Sequence, residues 1–237
     1  MDALVFAAGE GTRLRPLTAT KPKPMLEVGG EPILTRCLRT LTDLGARRLI
    51  VVVGYCSDLV TDYYGDSFSG IPIEYVHQHK REGMAHALLT AADRVSGDVM
   101  LMDGDSVFDC DLSSLVECHR KRDVDGTVLL ERVPREAARS KAICSCDNES
   151  TIHRIVNRPD DPPDPSYVAA GFQTATPALI DACRRVERSP RGEYEMAAAI
   201  QYAIDNGERL LGIEPKGWHL NVNTPADLER AREYFEN

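Results

Sequence analysis

The chain has 237 residues, 43% of them hydrophobic and 27% charged, with a formal net charge of −9. That length can bury a sizeable core, and the acidic balance argues against a general nucleic-acid binder, which needs a basic face. It leaves a nucleotide substrate open, because a locally basic pocket can sit in an acidic protein. Seven scattered cysteines without zinc-site spacing read as reduced thiols. No apolar stretch approaches membrane-spanning length and no signal peptide opens the chain, so a soluble cytoplasmic protein is expected.

In chain order, the short apolar run at residues 3–7 reads as a buried strand. It is followed at once by Ala7 to Leu26, AAGEGTRLRPLTATKPKPML. This stretch has the chemistry of a phosphate-handling loop. Gly9 and Gly11 let the backbone turn sharply and bring amides close to a polyphosphate. Arg13 offers a planar fork of donors, while Lys21 and Lys23 offer compact positive charges. There is no third glycine for a dinucleotide fingerprint and no Gly-Lys-Ser/Thr ending for a Walker loop.

Helix-like runs at 32–44, 57–64 and 84–95 alternate with strand-like runs at 49–53, 71–77 and 99–102. This alternation predicts an α/β fold with a mostly parallel, mixed central sheet and helices on both faces. Ligands then gather at the carboxyl ends of the strands, where the first loop already sits. The fourth strand ends in Asp103-Gly104-Asp105, an acidic turn that could meet a divalent cation. Alternation along the strand is expected to point Asp103 away from Asp105.

Beyond a helix at 111–122 the pattern becomes β-rich, with strands at 127–133, 142–146 and 152–156 and a turn at 147–149. A proline-rich loop at 158–165 could cover an active site. Helices follow at 177–186 and 194–206. Thr224 caps a last helix that starts with Pro225 and runs over 226–235. Without a linker or repeat, one domain over 1–237 is expected, with a nucleotide-binding half over about 1–110 and a sugar-phosphate half over about 111–237.

GEGTRLRPLT followed by KPKPML resembles the signature loop of the sugar-1-phosphate nucleotidyltransferases, or nucleotide-sugar pyrophosphorylases. The resemblance runs along nearly the whole chain and implies a Rossmann-like, GT-A-like catalytic domain. It places the triphosphate of an incoming nucleotide on Ala8, Gly9, Glu10, Gly11 and Thr12, and gives catalytic charge stabilisation to Arg13 and Lys23. The spacing of Gln78, Gly83 and Met84 is similar to the family's pyrimidine-recognition segment, with Asp103 also on the nucleotide. His86, in the same segment, is expected simply to pack in its helix. Gly104-Asp105 matches the family's magnesium-binding pair, and Asn221 or Asn223 stands where a second ligand occurs, although helix capping is a competing use.

On the sugar side, Arg191-Gly192-Glu193-Tyr194-Glu195 resembles a segment whose first glutamate, here Glu193, lies near the sugar. Gly171 matches a glycine that leaves room for the hexose. Asn157 and Arg158 replace a Glu-Lys pair, and Arg158 can still hold the sugar phosphate. The implied reaction is magnesium-dependent transfer of a nucleotidyl group, from UTP or dTTP by preference, to a sugar 1-phosphate. Two other readings are a cytidylyltransferase acting on phosphocholine or an inositol phosphate, and a non-catalytic nucleotide-sugar binder.

Overall fold

The computed structural model describes residues 1–121 and 123–236. The first strand, β1 (Asp2–Phe6), is a run of apolar side chains that delivers the glycine loop at its carboxyl end. A two-residue pair, β2 (Glu27–Val28) and β3 (Glu31–Pro32), leads into α1 (Ile33–Asp43). There follow β4 (Leu49–Val53), α2 (Ser57–Tyr64), β5 (Ser67–Phe68), β6 (Ile71–His77), α3 (Met84–Thr90) and β7 (Val99–Asp103). These strands lie in the order β7-β1-β4-β6, all parallel. Near-continuous apolar sequences such as Leu49-Ile50-Val51-Val52-Val53 are what a parallel sheet covered on both faces requires.

The second half begins with β8 (Ser106–Cys110), α4 (Ser113–Lys121), β9 (Gly126–Val133) and the short α5 (Arg135–Ala138). It continues through β10 (Ala142–Cys146), β11 (Ile152–Asn157), β12 (Ser166–Ala175), α6 (Pro177–Cys183) and α7 (Met196–Asp205). It closes with β13 (Leu210–Ile213), β14 (Gly217–Asn221) and α8 (Pro225–Glu236). The ten residues of β12 join the halves, running antiparallel to β9 along one edge and to β10 and then β7 along the other. The sheet is therefore mixed, as the sequence predicts.

Alternation along β1 sorts its side chains onto two cores. Ala3 and Val5 pack with Leu34 and Leu38 of α1, Leu115 of α4 and Leu228 of α8. Leu4 faces the other way, toward Leu88 of α3, Ile180 of α6 and Ile200 of α7. Burying a leucine fully, as at Leu4 or Leu38, contributes roughly 1.5–3 kcal/mol. Helices thus cover both faces.

Some boundaries differ from the sequence reading. The helix expected over 84–95 stops at Thr90, and a separate 3-10 turn spans Ala92–Arg94. The Thr90 hydroxyl donates to the His86 carbonyl at 2.8 Å, a back-bond that bends helices. The helix begun at Pro177 ends at Cys183 rather than 186. The expected end of the 111–122 helix, Arg122, lies outside the described residues. The strands β8 and β14 pair only with each other, as a two-stranded ribbon beside the main sheet.

Candidate active site

The loop after β1 is held by its own side chains. Gly11 has φ +64°, and a Cβ there would meet the Lys23 Cβ at 2.9 Å, so this position needs glycine. Gly9 fronts open space and takes no left-handed conformation, which corrects the expectation that both glycines make the sharp turn. Leu14, fully buried, pins the loop to the core, and the Thr18 hydroxyl donates to the Gly11 carbonyl at 2.8 Å. Lys23 follows a proline and opens a second 3-10 turn with its side chain buried.

That burial carries the Lys23 ammonium to the far end of the chain. It donates to the Asp105 carboxylate and, at 2.9 Å, to Asn223 Oδ1. Arg13 donates to the same Asn223 oxygen at 2.9 Å. The two predicted cations therefore share one amide. Lys21 does not join them; it lies on the surface, 3.5 Å from Glu27.

Asp103 and Asp105 flank Gly104, where a Cβ would meet the Phe6 carbonyl oxygen at 2.8 Å. The Asn221 amide donates to Asp105 Oδ1 at 3.1 Å and to Asp103 Oδ2 at 3.4 Å. Asp103 and Asp105 thus face the same cleft, contrary to the expectation that alternation separates them. Residues two apart on an extended chain share a face. Burial first, and the Asp105 charge second, push the Asp103 carboxyl up to about 7, against the pull of Asn221 and Lys23. The helix cap after β14 is made by Thr224 and Asp227, with Asp227 Oδ2 accepting from the Asn223 and Thr224 amides and Asp227 N–H donating back to the Thr224 hydroxyl. Asn221 and Asn223 keep their side chains free of that duty and aim them at the cleft.

Gln78 is buried at the end of β6. Its amide nitrogen lies 3.2 Å from the Gly83 carbonyl and 3.0 Å from His86 Nδ1. Gly83 has φ +105°, and a Cβ there would strike the Tyr194 carbonyl oxygen at 2.4 Å. Tyr194 N–H donates to Glu82 and Ala85 N–H donates to Tyr194, so the segment at 78–84 and the Arg-Gly-Glu segment are laced together. Glu10 is ion-paired to Arg81, which ties the phosphate loop to the same corner.

A cleft of about 430 Å³ opens at the carboxyl ends of the strands. Arg13, Met84, Asp103, Asp105, Asn221 and Asn223 line one end, and Arg158, Gly171 and Glu193 the other. Residues 8–12, Gln78 and Gly83 adjoin these positions in the chain without lining the cleft themselves, and Lys23 reaches it through Asp105 and Asn223. Gly171 lies where the pairing of β12 with β9 breaks between Ala169 and Gln173. Ser106 Oγ and both ring nitrogens of His219 are buried there without hydrogen-bond partners among the described residues.

Further polar groups, Lys141, Asn157, Arg191 and Glu195, line the Arg158 end of the cleft. Glu195 accepts from Asn157 at 2.6 Å and from Arg191 at 2.5 Å. Burial raises the Glu195 carboxyl, but these hydrogen bonds outweigh it and hold the group below its ordinary value. Lys141 donates to Glu131 at 2.9 Å. Burial opposes ionisation of Glu131, yet His219 and Lys141 hold its carboxyl down at about 2. Arg191 stands two residues before Glu193 in the motif already singled out, so its charge was a readable signal. Glu131 lies on β9 and Lys141 just before β10, and nothing in the sequence pairs them.

A mixed sheet with a basic glycine loop, a facing acidic turn and a polar cleft beyond defines an enzyme that handles nucleoside phosphates. The match to a family model described as nucleotidyl transferase covers residues 2–236. The chain belongs to the nucleotidyl transferase family. It is 43% identical over its full length to the UTP–glucose-1-phosphate uridylyltransferase AglF of Haloferax volcanii, covering 97% of that protein. It is 30% identical to the bifunctional protein GlmU of Methanococcus aeolicus over 96% of this chain, but spans only 53% of that longer protein. Its fold is that of a UDP-glucose pyrophosphorylase solved with UDP-glucose, with a TM-score of 0.89, 20% identity and coverage of 99% and 98% of the two chains. A glucose-1-phosphate thymidylyltransferase structure from Bacillus anthracis superposes with a TM-score of 0.90 at 24% identity, covering 100% of this chain and 96% of the other.

Proposed function

We propose that the protein transfers a nucleotidyl group from UTP or dTTP to a sugar 1-phosphate, releasing pyrophosphate. The observation that carries this reading is the convergence of Arg13 and Lys23 on Asn223 and Asp105, at one end of a cleft whose other end holds Arg158, Arg191 and Glu193. The similarity to AglF along the whole chain supports uridylyl transfer with glucose 1-phosphate as the first substrate pair to test.

An oxygen of the sugar phosphate attacks the α-phosphorus, a new P–O bond forms, and the bond to the β-phosphate oxygen breaks. The attacking phosphate is largely dianionic near neutral pH, since its second ionisation lies near about 6, so no general base is needed. Rate comes from alignment and from charge placed ahead of time. Arg13 and Lys23 hold the triphosphate and the departing pyrophosphate. Arg158 and Arg191 hold the sugar phosphate in line, and Glu193 accepts from sugar hydroxyls.

Among the described residues no three His, Cys, Asp or Glu side chains cluster as a metal site. The donor set instead consists of two carboxylates, Asp103 and Asp105, with the amides of Asn221 and Asn223. Hard oxygen donors of this kind suit magnesium, which takes one or two carboxylates and completes its shell with phosphates and waters. A bound cation would offset both the burial and the Asp105 charge that raise the Asp103 carboxyl. Magnesium held there would supply Lewis-acid stabilisation of phosphate charge.

The test is pyrophosphate release with magnesium, using each common nucleoside triphosphate against glucose, N-acetylglucosamine, mannose and galactose 1-phosphates and phosphocholine. Release that needs one sugar phosphate is expected. Lys23→Ala is expected to lower kcat by at least about 100-fold, the scale of losing one preorganised charge-stabilising group, with the circular dichroism spectrum retained. Near-normal turnover by that variant would remove Lys23 from the mechanism.

A further inference from the structure

We infer that His86 is a positioning residue that fixes which end of the Gln78 amide meets the nucleotide base, and so sets selection of uracil or thymine over cytosine. The inference rests on the proposed nucleotidyl transfer and on the family resemblance that puts Gln78 at the base. Gly83 contributes a carbonyl oxygen, which can only accept, so the Gln78 atom 3.2 Å from it is the NH₂ nitrogen. The same nitrogen lies 3.0 Å from His86 Nδ1. Its second hydrogen therefore goes to that ring nitrogen, which must be the unprotonated one. The ring proton then sits on Nε2, facing the Glu82 carboxylate at 3.7 Å.

The surroundings hold the imidazole in this pose. Its ring stacks on Tyr194 with centroids 6.3 Å apart and planes 23° from parallel. Arg188 pairs with Glu82 and lies 5.2 Å above the Tyr194 ring. Glu82 and Arg188 are thus the charged groups that face His86, from its own turn and from the segment packed against it.

Both hydrogens of the Gln78 amide are consumed, and its carbonyl oxygen is left as a pure acceptor. Uracil and thymine present an N–H at ring position 3, whereas cytosine presents a lone pair there. A locked acceptor meets the first and repels the second, which is selection by an unfavourable contact as well as a favourable one. Turning the amide over to suit cytosine would break two hydrogen bonds and set its oxygen against both the Gly83 carbonyl and the His86 lone pair. The histidine supplies half of that lock.

Three variants test this by Kd for UTP and for CTP (measured by calorimetry with magnesium present) and by kcat/KM. His86→Phe keeps a ring on Tyr194 but removes the acceptor. It is expected to shrink the UTP:CTP preference by about 5- to 10-fold, the worth of one neutral hydrogen bond. His86→Gln, whose carbonyl can accept, is expected to recover most of the preference, which a merely structural role would not predict. Gln78→Ala is expected to abolish it. An unchanged preference in His86→Phe alongside a loss in Gln78→Ala overturns the role of His86 and leaves Gln78 as the reader. An unchanged preference in Gln78→Ala overturns both.

Discussion

Lys23 and Asp105 neutralise one another before any substrate arrives, and Asp103 stands beside them with no such partner. Its carboxyl titrates near 7 in the folded chain against 3.8 as the ordinary value. Between those two values the folded protein binds more protons than the unfolded one, so this group makes stability fall as pH rises across that window. Asp103→Asn removes the slope. Its Tm is expected to exceed that of the wild type at pH 8 and to match it closely at pH 4, read by thermal melts at both values. A gain of equal size at both would mean that the charge of Asp103 is not what burial penalises. Asn221 is a neutral partner of both acids, so it orients them without cancelling their charge.

At the scale of elements, the break in β12 brings Gly171 close against the β8–β14 ribbon. Gly171 has φ +28°, and an added Cβ would lie 2.4 Å from Ser106 Oγ and 2.9 Å from His219 Nε2. Gly171→Ala is expected to cost roughly 1–3 kcal/mol through overpacking, lowering Tm by about 2–4 °C for each kcal/mol in a chain of this size. Gly9→Ala, with open space and an ordinary φ, is the control expected to melt with the wild type. The β1 run, the glycine loop and the Asp103-Gly104-Asp105 turn were legible because each is a local pattern with a period or a spacing. The β8–β14 ribbon was not, because its pairing joins segments more than a hundred residues apart and neither strand alternates cleanly. Asn221 and Asn223 both read as lying on one strand face, but the sharing of Asn223 by Arg13 and Lys23 has no sequence signature. The Asp103 expectation failed on parity: alternation along an extended chain puts residues two apart on one face, not on opposite ones.

Over the whole molecule, one sheet passes through both halves, since β7 pairs with β1 on one edge and β12 on the other. We propose that the halves unfold as one cooperative unit. The single tryptophan, Trp218, stacks on Tyr234 with centroids 4.4 Å apart and reports on β14 and α8. Its fluorescence and the far-ultraviolet circular dichroism are expected to give coincident melts; separated transitions would mean that the halves fold independently. The clasp among Arg13, Lys23 and Asn223 spans 210 and 200 residues of chain. During synthesis the glycine loop is made well before the residue it closes on. Until Asn223 has been made, the basic loop of a nascent chain lacks the amide that joins Arg13 to Lys23.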